Sequence, residues 1–363
     1  VDPGNRQLDP RQASGYLKAR AREAGLDLAG VASLAPASTG AAYRRWLERG
    51  DHAGMAWMAR NVEVRMDPRR LLPGARSALV AGLRYAPLAP PAEEDKGSDL
   101  WPRVARYARG ADYHDLIRER LGRVAAALAE RWPGEETRIC VDTAPLLERE
   151  LAARAGLGAF GKNTLLLHPE AGSYLLLGEL LTTLDLAPDS PLSDLCGNCS
   201  RCLEACPTGA LPEAYRLDAN RCISYWTIEH RGEIAGPVRE HLADWAFGCD
   251  VCQEACPWNR DLPPAGHPEL APPPSRRDLD LAGLLGLTEE EYRERFRGSP
   301  MKRARAAGLR RNAAFALAGH GDGRSQAALE QAEAGDPAPE VREAARWARR
   351  RPAPRGDGGF DSK

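Results

Sequence analysis

Eight of the nine cysteines in this 363-residue chain fall between Cys196 and Cys256, and their spacing dictates what that stretch can fold around. The first run, Cys196-Gly-Asn-Cys199-Ser-Arg-Cys202-Leu-Glu-Ala-Cys206-Pro207, has the form C-x2-C-x2-C-x3-C-P. Such a run wraps a loop round one cubane iron–sulfur cluster, and in two-cluster ferredoxins its fourth cysteine reaches across to the other cluster. The second run, Cys249-Asp-Val-Cys252-Gln-Glu-Ala-Cys256-Pro257, is the same motif without its leading cysteine, with Ala246 in that place. Cys222, within ANRCISYW, is the substitute. The crossover rule then assigns Cys196, Cys199, Cys202 and Cys256 to one [4Fe-4S] cluster and Cys206, Cys222, Cys249 and Cys252 to a second. The alternative is a pair of structural zinc sites, whose usual paired knuckles lack the triple spacing and trailing proline. Cys140 stands apart and reads as a buried strand cysteine.

Two adjacent clusters relay single electrons and seldom perform the final chemistry, so an electron acceptor is expected in the first part of the chain. Disulfides are not the expected use of these thiols, because nothing in the sequence points to export. The opening VDPGNRQLDP has neither the basic nor the apolar region of a secretory signal and reads as a disordered lead-in. No apolar run reaches the roughly eighteen residues of a membrane helix. A cytoplasmic monomer with no membrane partner is the expectation. With 50 basic and 51 acidic residues the formal charge is −1, so any polyanion site has to be a local patch.

Helical spacing is expected over residues 10–30, with Gly25 as the stop, and again over 40–60. DLAGVASL and ARSALVAGLRYAP read as strands, and APPAEEDKGSD as a polar surface loop. A long amphipathic helix follows in DYHDLIRERLGRVAAALAERW, then the short strand TRICV and a helix APLLERELAARAG with Pro145 in its first turn. TLLLHP and SYLLLGELLTTLDL are strand-like. Strands alternating with helices imply an α/β or α+β core. Composition divides the chain into a core at 1–187, a Cys-, Pro- and Gly-rich module at 188–265 and a helical region at 266–363. In the last, RRNAAFALAGH and PEVREAARWARRR look like a degenerate HEAT-type repeat forming a cap. The expected class is α+β overall, with a ferredoxin-like two-cluster module.

Gly156-Leu-Gly158-Ala-Phe-Gly161 matches G-x-G-x-x-G literally, but it follows a helix and precedes a strand, the reverse of a dinucleotide-binding turn. Glycines that admit a bulky flat cofactor are the better reading. Asp142, at the end of TRICV and before a helix, lies where such folds collect polar groups. It is either a helix cap or, if Thr143 caps instead, a group free to project into a site.

The segments VDTAPLLERELAARAGLGAFGKNTLLLHPEAGSYLLLGEL, CGNCSRCLEACPTGA, RCISYWTIEHRG and FGCDVCQEACPWN together resemble the epoxyqueuosine reductase family, which completes queuosine at the tRNA wobble position. The resemblance extends through RMDPRRLLPGARSALV, RYARGADYHDLIRERL and SPMKRARAAGLRRNAAFAL and so covers nearly the whole chain. It implies two [4Fe-4S] clusters and a cobalamin held in an α/β core. It also implies that Asp142 is the proton donor and that Arg65, Lys162 and Asn163 contact the cobalamin, with Tyr107 and His114 as further candidates.

Removing an epoxide oxygen to leave an alkene takes two electrons and two protons. Clusters would deliver the electrons singly to cobalt, and a general acid would protonate the leaving oxygen. Asp142 in that role is expected to be shielded from water by the corrin face and the TRICV strand. The substrate is a whole tRNA, gripped near its anticodon stem-loop with the base extruded. Lys302, Arg303, Arg305, Arg310 and Arg311, in MKRARAAGLRR without an acidic residue, form the expected phosphate contact. A low-potential electron donor is implied. The alternatives are a related corrinoid iron–sulfur reductase of the dehalogenase kind and a noncatalytic electron-transfer protein that reactivates corrinoids.

Overall fold

The computed structural model describes residues 9–86 and 98–351. The N-terminal lead-in and the polar loop near residue 92 lie almost wholly outside them. Contacts divide the chain into two compact units, each discontinuous in sequence. One comprises residues 1–89, 112–219 and 251–268, the other 90–111, 220–250 and 269–363.

The first unit is built on α1 (Pro10–Glu23), β1 (Leu28–Ser33), α2 (Gly40–Glu48), α3 (Val62–Met66), β2 (Ser77–Arg84), α4 (Tyr113–Arg131), β3 (Thr137–Cys140), α5 (Glu148–Arg154), β4 (Ala159–Phe160), β5 (Leu166–Leu167) and β6 (Leu175–Thr182). A four-stranded sheet has the order β1-β2-β6-β3, and all three pairings are antiparallel. The core is therefore α+β. The α/β expectation fails because the alternating helices do not return the chain to parallel neighbours. α1 packs on α4, and α4 on β3 and β6, while α5 packs on β1, β2 and β6.

Side chains alternate across a strand, so β6 feeds both layers. Leu175, Leu177 and Leu181 join Val80, Cys140, Leu151 and Ala152 in the cluster beneath α5. At Gly178, on the alternate face, a Cβ would sit 2.5 Å from the Ile117 Cγ2 of α4, so only glycine lets α4 approach this closely. Cys140 is 1% exposed, as expected of a buried strand cysteine. Asp112 caps α4, accepting a hydrogen bond from the backbone N–H of His114 (3.2 Å). The expected helix at 144–156 is shorter than its pattern: α5 begins at Glu148, leaving Pro145 in an irregular segment. Two further short helices of this unit, α6 (Arg201–Ala205) and α8 (Val251–Glu254), carry cysteines.

The second unit holds α7 (Ile223–Ile228), α9 (Pro274–Arg277), α10 (Leu281–Leu285), α11 (Glu289–Arg295), α12 (Arg305–Ala316), α13 (Gly323–Gly335) and α14 (Pro339–Arg349). α12 is central. It is buried on nearly every side and packs against α10, α14 and α7. A helix apolar all round belongs in a core, yet this one carries Arg310 and Arg311 there, at 5% and 1% exposure. Among the described residues no helix is long and apolar enough to cross a membrane.

Candidate active site and cluster loops

β3 ends at Cys140, and two residues later the backbone turns out of the sheet. Asp142 adopts φ +53°, a left-handed conformation that costs a non-glycine residue energy and in a bulky residue signals strain. Its carboxylate caps nothing. α5 starts six residues on, and its N-cap residue, Leu147, makes no side-chain cap bond. Instead Asp142 Oδ2 lies 3.2 Å from Nε2 of His114, whose Nδ1 is 2.6 Å from Oδ1 of the buried Asp112. The imidazole is thus held between two carboxylates. Asp142 itself is exposed, its side chain at 57%, so the TRICV strand does not shield it as expected.

Burial opposes charge on His114, but the hydrogen bonds and charges of Asp112 and Asp142 outweigh it and raise the imidazole to about 9. The folded chain therefore binds this proton more tightly than the unfolded chain does. The stability so gained is complete below about pH 6.5 and is lost as pH rises through about 9. His114→Gln is expected to flatten the pH dependence of the denaturation midpoint between those values. Equal slopes in the variant and the wild type would contradict this assignment.

Two further acidic residues frame the array, and sequence reasoning singled out neither of them nor Asp112. Asp112 orients His114. Glu148, half-buried at the start of α5, accepts a hydrogen bond from the Asp142 backbone N–H at 2.5 Å. Glu179, opposite Cys140 in the sheet register, is 0% exposed, and neither carboxylate oxygen has a hydrogen-bond partner among the described residues. Burial first, then the charges of Glu148 and Asp142, push the Glu179 carboxyl well above the usual carboxylate range. One acid inside the apolar run SYLLLGELLTT was its signal in the sequence.

Arg65, on α3, reaches the same loop from another side: its Nη1 donates to the Leu146 carbonyl at 3.4 Å. Its Nε is buried without a hydrogen-bond partner among the described residues. Arg65 also lines a recess with Ala35, Ala37, Pro68, Leu147, Leu151 and the paired Glu150 and Arg154. Tyr107 belongs to the other unit, where its ring lies 6.3 Å from that of Phe247.

Lys162 and Asn163 are committed to the cysteine loops. Lys162 Nζ donates to the carbonyls of Gly197 (2.7 Å) and Cys199 (2.9 Å), and Asn163 Nδ2 to that of Cys252 (3.4 Å). These polar groups hold the backbone of the cysteine loops. The glycine string does the same work. A Cβ at Gly156 would lie 2.7 Å from the Ser190 carbonyl oxygen, and one at Gly158 2.6 Å from that of Leu167. The close approach seen at Gly156 and Gly158 is by the chain's own backbone.

Around that turn, Cys196, Cys199, Cys202 and Cys256 line one space together with Gly161, Lys162 and Trp258. The crossover quartet is thus brought together within one unit, from two separate runs. Cys206 and Cys252 belong to the same unit, Cys222 and Cys249 to the other. None of the nine cysteines forms a disulfide.

The basic segment is divided by burial. Arg310 pairs with Asp336 at 2.8 Å, and Arg311 donates to the carbonyls of Trp226, His230 and Gly232. Both are interior residues and are withdrawn as phosphate contacts. Desolvating each guanidinium has been offset by partners that an RNA would have to displace. Lys302, Arg303 and Arg305 remain on the surface, Arg303 paired with Glu229 at 3.0 Å.

Residues 195–259 match a family described as a 4Fe-4S double cluster binding domain, and residues 65–143 one described as Epoxyqueuosine reductase QueG, DUF1730. The chain is 39% identical over 344 residues to an epoxyqueuosine reductase of Pseudomonas aeruginosa, covering 94% of this chain and 95% of the relative. A relative of the same name from Synechococcus sp. (strain CC9605) is 41% identical over 307 residues, covering 83% of this chain and 93% of the relative. A crystal structure of an epoxyqueuosine reductase with an epoxyqueuosine-modified tRNA-Tyr stem loop superposes with a TM-score of 0.85 at 32% identity, covering 93% of this chain and 89% of that one. A Bacillus subtilis epoxyqueuosine reductase, described with its catalytic aspartate loop swung out of the active site, gives 0.83 at 31%, covering 93% and 89%.

Proposed function

The chain belongs to the epoxyqueuosine reductase family, and from that premise we propose that Asp142 is the acid with which it reduces the epoxide of epoxyqueuosine in tRNA. The chain is an oxidoreductase and carries a double [4Fe-4S] domain. The observation that carries the assignment of the acid is the Asp112–His114–Asp142 array at the end of β3, exposed on the Asp142 side. A relative in complex with a modified stem loop supports a tRNA as the partner that brings the epoxide to this carboxyl. The aspartate loop seen swung out in the Bacillus subtilis relative supports a mobile Asp142 loop here. The dehalogenase-like and electron-transfer readings have no comparable support.

Cobalamin fits the residues present. The unpartnered Nε of Arg65, beside a recess lined by alanine, proline and leucine side chains and by the Glu150–Arg154 pair, is suited to a polar edge of a large cofactor. When bound, the corrinoid supplies the electron-delivering chemistry that side chains lack. The chain's own part is then the protons and the orientation. His114, kept charged by Asp112 and Asp142, holds the proton that Asp142 passes to the oxygen leaving the ring carbons, and solvent supplies the second proton of the water released. The three sequence regions 1–187, 188–265 and 266–363 are read as the catalytic core, the cluster module and a HEAT-like tRNA-binding region. Lys302 and Arg305 are the phosphate contacts in the last. A low-potential donor feeds the clusters of a monomer.

Anaerobic protein loaded with both cofactors should convert epoxyqueuosine-containing tRNA to queuosine-containing tRNA under a strong reductant. No conversion by fully loaded protein would overturn the reading. The crossed ligation has its own test. Cys222→Ala should lower iron from about eight atoms per chain to about four, the content of one cubane cluster. A variant still holding about eight would show that Cys222 is not a ligand.

A further inference from the structure

We propose that Glu148 is the positioning residue of the site, a latch that holds the Asp142 loop in its working position through the Asp142 backbone N–H. The proposal rests on the reading of Asp142 as the acid, and it adds what keeps that acid in place.

The segment between β3 and α5 has no ladder or helix to hold it. Its internal hydrogen bonds join near neighbours, from the Thr143 N–H to the Val141 carbonyl and from the Leu146 N–H to the Ala144 carbonyl. Such bonds shape a turn without fixing it to the rest of the molecule. Arg65 holds its far end at the Leu146 carbonyl. At Asp142 the φ of +53° has to be stabilised by the surroundings, and the tie to the backbone there is Glu148 Oε1 at 2.5 Å. His114 contacts the Asp142 side chain, the part that has to act, and so is a poor choice of permanent anchor.

Glu148 is well placed to be rigid. It begins α5, whose following residues Leu151 and Ala152 are buried in the core at 2% and 0% exposure. A side chain fixed to the core thus grips a strained backbone position in a loop that must carry a proton donor to substrate. The bond requires an acceptor, not a charge. Gln in place of Glu keeps a carbonyl oxygen at the same reach; Ala removes it.

The test uses Glu148→Ala and Glu148→Gln in the full chain. In the cofactor-free protein, amide hydrogen exchange at Asp142 should be slow in the wild type, fast in the Ala variant and again slow in the Gln variant. In loaded enzyme the Ala variant should lose about 10²-fold in kcat, the scale of a misplacement of about 1 Å. KM for tRNA should hold and iron content should be normal. The Gln variant should recover most of the loss. Unchanged Asp142 exchange in the Ala variant overturns the latch, and so does a Gln variant as impaired as the Ala variant. Should the Ala variant not fold, the wild-type exchange rate and the Gln variant still decide the matter. Retained turnover in Asp142→Asn, with exchange following the acceptor, would sink the acid role and leave the latch standing.

Discussion

Asp142→Asn should abolish most turnover, by about 10²–10⁴-fold, while leaving iron and cobalamin in place. The amide is nearly isosteric and can still face His114, but it has no acidic proton to deliver to an epoxide oxygen. Its backbone N–H is unchanged, so the bond to Glu148 and the loop conformation should persist. Because the side chain is exposed, removing its charge leaves no buried partner stranded except His114, whose second carboxylate, Asp112, remains. The informative outcome is therefore a full cofactor complement with conversion gone. Near-normal conversion would leave the proton source unidentified. Loss of cobalamin along with conversion would make Asp142 a binding residue instead.

How much of this site was legible beforehand depended on whether a residue's neighbours were local in sequence. The quartet Cys196, Cys199, Cys202 and Cys256 could be read because ligand spacing within a loop is itself the constraint. Asp142 could be read from its place at a strand end. Glu148 and Glu179 could not, because what gives them meaning is packing. One lies beneath a turn six residues upstream, and the other faces Cys140 from a strand some forty positions later in sequence. Glu179 did leave a trace, as an acid inside an apolar strand, but periodicity alone gives no reason to look behind it. The antiparallel sheet was hidden for a similar reason. Alternating strands and helices define a composition, whereas pairing direction is set by long-range register.

Charge was misread most where it was densest. MKRARAAGLRR looks like a solvated basic face, yet the helix it enters is the centre of the second unit, and Arg311 is among its most buried side chains. There the guanidinium acts as a hub, donating to three carbonyls of residues 226–232 and to the Asn312 side chain, which itself donates to the carbonyls of Thr227 and Ala246. Planar, five-donor geometry suits such a hub, and lysine would not replace it. Arg311→Glu should therefore destabilise this unit by about 3–5 kcal/mol or more, since it leaves carbonyls unpaired and puts a carboxylate among them. The measurement is denaturant unfolding followed by tryptophan fluorescence, with tRNA binding in parallel. Lys302→Glu with Arg305→Glu, both on the surface, should leave the unfolding midpoint nearly unchanged, weaken tRNA binding and flatten its salt dependence. If Arg311→Glu kept the wild-type midpoint and lost only tRNA affinity, the buried network would not be structural and Arg311 would be a phosphate contact after all. If the surface pair left the salt slope untouched, the RNA would be held elsewhere.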